Sequence, residues 1–452
     1  MGRGRVVAGL SVLVLLLVSA CSWPMGRYGP GRTGHNPFES TLSTANVATL
    51  TTDFTGPLAP TLVDDAPVVV NDLVFVGQDD TFAAFSADGD DGCSGSPGAC
   101  TPRWSAATDG DVSGSAAIGN DVVYVGSAGG TFAAGGVTNC AGTPTVCQPL
   151  WTASTDGAVR APLVANGRVY VTTSGGALAV FDAAGQVGCG GSPRTCEPLW
   201  TASVADAASP PALAGGTVYF TAGMTLYAFD AAGVTNCSST AHTCAPRWTA
   251  TPDCFSVIGC SVTAPAVEGG TVFFGADQSD EFPRSGTLYA YDAAGVVGCG
   301  GVPRACEPRW TAGTRAQYSP PAVANGRVYV ADHQFDDFDF TSESRVVAFD
   351  AAGVSNCGGT PTFCTPLWAS DDTDGGASVA PSVANGVVYA FGGDSLLAFD
   401  AAGSLGCSGV PVVCAPVGTF GSFSSLITSP AIANGRVYIG EAGGLRAFAL
   451  PS

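Results

Sequence analysis

The chain contains no lysine: all 17 of its basic residues are arginine, against 37 Asp and Glu, for a formal net charge of −20. Without lysine there is no Schiff-base chemistry and no Walker-type phosphate loop. The negative balance argues against nucleic acid and anionic lipid head groups as partners, because both need positive surface. Histidine is nearly missing, with only His35, His242 and His333. No His-based triad or multi-His metal site can be assembled from these. There is no Cys-Cys dipeptide and no Cys-x-x-Cys-His haem motif. Helical periodicity is almost absent. Carboxylates are plentiful, so hydrolysis by a carboxylate pair stays open but has no motif to support it.

Long apolar runs are lacking too, apart from 6–18 (VVAGLSVLVLLLV), which is short for a bilayer span. It follows Arg3 and Arg5, so residues 1–20 read as a secretion signal. Val18-Ser19-Ala20-Cys21 resembles a bacterial lipobox, which makes Cys21 the expected lipidation site and new N-terminus. The expected location is extracytoplasmic, on the cell membrane, held by the lipid alone. Residues 21–44 are Gly/Pro-rich and read as a tether, with 45–452 as the folded domain.

What the chain has in abundance is repetition. A cassette recurs seven times: Asp-Ala-Ala-Gly, a Cys, six residues, a second Cys, then Pro-x-Trp, as in 182–200 (DAAGQVGCGGSPRTCEPLW). A segment of the type Pro-Ala-Val-Ala-Asn-Gly-Arg-Val-Tyr-Val follows each cassette. A period near 50 residues implies an array of like units. One unit divides into four short strands, at 161–165, 168–172, 177–182 and 198–202, with an Asn166-Gly167 hairpin signal between the first two. The expected fold is therefore all-β, an eight-bladed β-propeller of four-stranded antiparallel blades. The strand 50–54 is expected to complete the last blade, with Phe54 at the Trp position.

Sixteen of the 17 cysteines fall into close pairs. Seven pairs have identical spacing: Cys93 with Cys100, Cys140 with Cys147, Cys189 with Cys196, Cys237 with Cys244, Cys299 with Cys306, Cys357 with Cys364, and Cys407 with Cys414. The eighth pair is Cys254 with Cys260. Zinc would need ligands converging from different units, whereas export favours local disulfides. Each disulfide of the seven closes a short loop worth at most ~2.5 kcal/mol on the chain-entropy estimate. The cassette tryptophans read as packing between blades. Val417 is assigned to that position in the seventh cassette, where the junction is expected to be less filled.

The repeated Pro-Ala-Val-Ala-Asn-Gly-Arg-Val-Tyr-Val, Gly-x-Leu-x-Ala-Phe-Asp-Ala-Ala-Gly and Trp resemble the repeat of PQQ-like (pyrroloquinoline-quinone-type, quinoprotein/BamB-like) β-propeller lipoproteins. The lead-in from Trp23 to Pro37 is similar as well. The resemblance implies the fold and leaves function divided. Quinoprotein dehydrogenases of this kind use an adjacent-Cys disulfide, a Trp on the cofactor face, a Ca²⁺ site and an Asp base; no unit offers that constellation. The expectation is a non-catalytic, membrane-anchored binding or scaffold module, with no cofactor predicted. The alternative is a PQQ- and Ca²⁺-dependent oxidoreductase acting on alcohols or sugars.

Function in propellers tends to sit where loops vary over a rigid scaffold. The Asn-Gly turns and Cys loops share one face (the turn face). The opposite face, with the second-turn loops and inter-blade connections (the connection face), is irregular. The expanded loops of units five and six supply Asp277, Asp280, Glu281, Asp332, His333, Asp336, Asp337 and Asp339 as candidate binding residues. Arg160, Arg315 and Tyr318 on neighbouring connections join them. The expected partner is a protein, peptide or glycan, and the expected state a monomer. Neither the acidic loops nor their spacing matches an EF-hand.

Overall fold

The computed structural model describes residues 22–58, 66–134, 139–253, 260–278, 285–316, 319–336, 341–375, 379–423 and 427–451. Among these, no helix is long and apolar enough to cross a membrane. The second half of each repeat's Val-Ala-Asn-Gly-Arg-Val-Tyr segment turns back on itself at once. Asn166 and Gly167 both take positive φ (52° and 72°), the geometry of a two-residue hairpin whose twist matches its strands. This sets the inner strand Leu163–Ala165 against Arg168–Thr172, which pairs with Ala177–Asp182 and then with the outer strand Trp200–Ser203.

The expectation of eight four-stranded antiparallel blades is corrected to seven blades, most of whose sheets hold more than four strands. Seven blades are each built by one continuous run of chain, with inner strands at Val68–Val70, Ala117–Gly119, Leu163–Ala165, Ala212–Ala214, Ala266–Glu268, Ala322–Ala324 and Ser382–Ala384. The remaining sheet is a composite of both chain ends: Ala431–Ala433, Arg436–Glu441 and Gly444–Ala449 are joined by Thr51–Pro57. Nor are the sheets uniformly four-stranded or antiparallel: they hold four to seven strands. The reason is the Cys hairpin, which does not simply close a loop of its own blade. Its second half docks in parallel on the outer strand of the preceding blade, as Thr195 does on Thr152 and Ala305 on Thr249.

All seven evenly spaced pairs are disulfides between directly opposed hairpin residues, with Cα–Cα distances of 3.9–4.0 Å. Cys93 is bonded to Cys100, Cys140 to Cys147, Cys189 to Cys196 and Cys237 to Cys244. Cys299 is bonded to Cys306, Cys357 to Cys364 and Cys407 to Cys414. Their role differs from the expected pinning of a surface loop, because the second cysteine of each hairpin faces the preceding blade. Cys100, Cys147, Cys196, Cys306, Cys364 and Cys414 are accordingly buried, and Cys244 is half-buried. Cys260 is also disulfide-bonded; its expected partner, Cys254, lies outside the described residues.

The cassette residues each bridge one blade to the next. Trp200 lies against Gly233 of the following Asp-Ala-Ala-Gly, where a Cβ would come within 2.3 Å of the indole; Trp151 against Gly185 and Trp368 against Gly403 repeat the arrangement. The Tyr170 hydroxyl donates to the Ala231 carbonyl of that same turn (3.1 Å), as Tyr219 does to Ala293 (2.7 Å) and Tyr438 to Ala87 (2.8 Å). The last of these closes the ring between the composite sheet and the first blade, beside the Arg436–Asp88 ion pair at 3.1 Å. Phe54 takes the Trp position of the composite sheet, buried and facing Gly89.

In the seventh blade, strand register corrects the Val417 assignment. Gly418 pairs with Ala398 where Trp368 pairs with Ala348. The junction is not left empty, because the 3-10 turn Val47–Thr49 fills it; a Cβ on Gly418 would meet Ala48 at 3.1 Å.

The Asp of the cassette caps its own turn. The Asp350 carboxylate accepts from the Val354 and Ser355 N–H groups (3.0 and 2.6 Å), and Asp400 from Ser404 and Leu405 (both 2.9 Å). Partial burial of Asp350 opposes ionisation, but the backbone donors outweigh it and hold the pKa below the usual carboxylate value; Asp182, Asp230 and Asp400 behave alike. A depressed folded pKa gives stability that is complete above the unfolded value, about 4, and lost as pH falls through the folded one. Melting temperatures of wild type and Asp350→Ala are therefore expected to differ at pH 6 and to converge by pH 2. A constant gap across that range would show that the caps do not titrate as described.

Candidate functional site

Residues 22–36, expected to be a tether, instead run through the ring's axis and are largely buried. The inner strands leave backbone donors facing the channel, and this segment accepts from them in turn. Trp23 and Val69 exchange backbone hydrogen bonds of 2.6 and 2.8 Å. Ile118 donates to Pro24, Leu213 to Pro30, Val267 to Gly31, Val323 to Thr33 and Val383 to Gly34 (2.7–2.8 Å). His35–Asn36 then pairs in parallel with Val383 and Ala384, and the Asn36 side chain donates to the Ile432 carbonyl (2.8 Å). The segment is a plug that touches blades all around the ring.

Two arginines of the plug form the floor of an axial cavity of about 730 Å³ that opens on the connection face. Arg27 donates to the Pro381 and Pro321 carbonyls (2.6 and 2.8 Å), and Arg32 to Ala161 (2.7 Å), Pro162 (3.1 Å) and Pro211. Their acceptors are carbonyl oxygens; among the described residues neither has a carboxylate partner. Burial, and then the neighbouring Arg32, lowers Arg27 to about 9; burial lowers Arg32 to about 10. Both stay charged at neutral pH. Arg27, Tyr28 and Arg32 all lie in the left-handed region (φ 63°, 77° and 51°), a conformation costing on the order of 1 kcal/mol for a side-chain-bearing residue. The walls are hydroxyl-rich, with Ser115, Ser209, Ser319 and Thr428.

The irregular part of the connection face is partly different from expectation. The enlarged turns of blades five and six are strand extensions: Thr271–Gln278 pairs with Ser285–Asp292, and Arg327–Asp336 with Thr341–Asp350, as long ribbons. Asp277 and Asp332 are buried (1% and 0% exposed) rather than open to a partner. Asp332 holds Arg345 at 2.7 Å, and His333 Nδ1 lies 3.1 Å from the Ser344 hydroxyl. Arg315 grips Asp372 with both terminal nitrogens (2.8 and 3.0 Å), with Glu343 at 3.6 Å. Burial works against its charge, but Asp372, Asp332 and Glu343 outweigh that and raise its pKa. These residues tie blade five to blade six. Asp336 ends its strand, and Asp280, Glu281, Asp337, Asp339 and Tyr318 lie outside the described residues. Arg160 alone of the candidates lines the axial cavity.

Among the described residues, the cavity offers no set of ligands for the Ca²⁺ of a quinoprotein cofactor site. Its described lining contains arginine and hydroxyl groups but no carboxylate to hold Ca²⁺. Among the described residues no three His, Cys, Asp or Glu converge. Sequence reasoning missed Trp23, Arg27 and Arg32. The available signal was composition, since a Trp, a Met and two Arg are odd constituents for a free Gly/Pro linker.

The family described as "Outer membrane protein assembly factor BamB" matches residues 101–188. No curated protein matches in sequence. Solved structures share the fold at low identity. BamB from Moraxella catarrhalis is 13% identical over 88% of this chain and 99% of its own, with a TM-score of 0.56. The quinohemoprotein alcohol dehydrogenase ADHIIG from Pseudomonas putida HK5 is 12% identical over 95% and 80%, at 0.59. The computationally designed Ika8 protein is 11% identical over 88% and 99%, at 0.58. The fold is that of a PQQ-like β-propeller.

Proposed function

We propose that this chain is a non-catalytic binding module, anchored to an extracytoplasmic membrane surface by a lipid on Cys21, which presents its connection face to a protein, peptide or glycan. The observation that carries this reading is the position of Ser22. Its carbonyl accepts from the Asn36 side chain (3.3 Å), and Asn36 pairs with Ala384, next to a hairpin turn at Asn385. A lipid on the neighbouring residue draws the turn face to the bilayer. That face also carries exposed apolar side chains on its Cys loops, among them Val187, Val234, Val302, Val354, Leu405 and Val410. Such residues suit a lipid interface, adding to acyl chains that bind marginally when single. In a chain of net charge −20 the attraction to membrane is apolar rather than electrostatic. The cavity mouth and the two long ribbons then point away from the membrane, and the disulfides suit an oxidising compartment.

The test is fractionation of the full chain expressed in a lipoprotein-processing host. Wild type is expected in the membrane fraction, and Cys21→Ser in the soluble one. Photo-cross-linkers at Asp336 and Asp372 are expected to capture a partner, whereas one at Val302 captures lipid. Membrane retention of Cys21→Ser would remove the anchor. Dye-linked alcohol or sugar oxidation after addition of PQQ and Ca²⁺ would remove the non-catalytic reading.

A further inference from the structure

Two guanidinium groups share the floor of the axial cavity, buried and, among the described residues, without a carboxylate partner, in a protein that is otherwise strongly acidic. Carbonyl dipoles satisfy most of their N–H groups but do not neutralise them. Burying a cation unpaired is costly, and burying two near each other more so. Among the described residues, two atoms beside the cavity have no hydrogen-bond partner: Nε of the Arg27 guanidinium itself and the Ser319 hydroxyl. Ser319 is 5% exposed and Arg27 8%. They are neighbours through the chain, since Ser319 immediately precedes Pro320-Pro321, and the Pro321 carbonyl accepts from Arg27. Arg160 stands exposed among the lining residues.

We propose that the axial cavity is a binding site for a small oxyanion, a phosphate or carboxylate group carried by a small molecule, with Arg27 and Arg32 supplying the charge and Ser319 a hydroxyl donor. The cost of holding two unpaired cations in the apo protein is what an anion relieves, so binding converts that cost into affinity. The hydroxyl-lined walls suit the polar remainder of such a molecule, and the volume admits a ligand well above the size of phosphate itself. Both arginines sit at positive φ in the plug, which carries the Arg27 guanidinium toward the sixth and seventh blades and that of Arg32 toward the third and fourth, on either side of the cavity floor. This site is separate from the partner surface of the ribbons, although both open on the same face.

Calorimetric titration with inorganic phosphate and with citrate, at fixed ionic strength against sodium chloride, tests the proposal and separates phosphate from carboxylate ligands. The expected result is saturable one-to-one binding of at least one oxyanion with a rise in melting temperature that chloride does not reproduce. Ser319→Asp, which places a fixed carboxylate beside Arg27, is expected to weaken binding at least tenfold; Arg160→Gln, on the rim, about threefold. No saturable binding of either oxyanion, an equal effect of chloride, or unaltered binding to Ser319→Asp overturns the proposal. Should that variant fold poorly, the Nε–H resonances of Arg27 and Arg32 in the wild-type protein decide: they shift on addition of the bound oxyanion, and unmoved resonances overturn the site. The partner-capture experiment is independent of either outcome.

Discussion

Deleting residues 22–36 while keeping the closing strand Thr51–Pro57 is expected to be among the most damaging changes this protein can suffer. The plug accepts backbone hydrogen bonds from the inner strands of the first, second, fourth, fifth, sixth and seventh blades. Each is worth about 1 kcal/mol net, and together they join blades that otherwise contact only their neighbours. The segment also buries Trp23 and Met25 (1% and 4% exposed). Trp23→Ala alone is expected to cost ~3–5 kcal/mol, as for a large core side chain. The sharpest measurement is native-state hydrogen exchange at Leu213, Val267, Val323 and Val383. Their amides are bonded to the plug, and in the deletion variant they are expected to exchange at least a hundredfold faster, while mid-blade amides such as Tyr170 change less. Unaltered protection at those four amides would mean that the channel closes without the plug.

How far the fold was legible follows from which residues repeat. The Asn-Gly turns, the alternating strands and the Asp-Ala-Ala-Gly turns recur, so each unit's hairpins and even the closing strand with Phe54 could be read from the text. What could not be read is any contact made by a segment that occurs once. Residues 22–36 carry no period, and their Gly and Pro content looks like a linker; only the ring of unsatisfied inner-strand donors gives them a place. Docking of each Cys hairpin on the preceding blade was hidden for a related reason: the disulfide is local, and its partner strand lies one cassette earlier. The Val417 assignment was a matter of register, which the strand pairing of Ala398 with Gly418 resolves. At the candidate site, sequence identified an irregular face and read its acidic residues as free for binding. Asp332 and Arg315 are instead spent on each other's neighbourhood, holding two blades together. Charge in a loop does not reveal whether the opposite charge waits on the next blade.

The second large effect is expected at the blade junctions, where one Trp and one Gly meet. Trp200→Ala removes a side chain that is 3% exposed and leaves a cavity against Gly233, at an expected cost of ~3–5 kcal/mol. Gly233→Val attacks the same contact from the other side. It adds atoms where Cδ1 of the indole lies 2.3 Å from the Cβ position, and it forces a β-branched residue to φ 67°. The indole is rigid and locked by its own blade, so it cannot yield as a flexible chain end would. Either variant alone should lower the midpoint of chemical unfolding. The double variant is expected to recover part of the steric loss, because the cavity left by truncating Trp200 accepts the valine. That recovery distinguishes a shared junction from two separate defects, and a double-mutant cycle measures it directly. Strictly additive losses would mean that Gly233 is needed only for its backbone angle. A positive coupling of about 1 kcal/mol or more, the range for residues in contact, would establish that the cassette glycine is there to admit the preceding blade's tryptophan. The same logic extends to Trp151 with Gly185 and Trp368 with Gly403, whose geometry is the same.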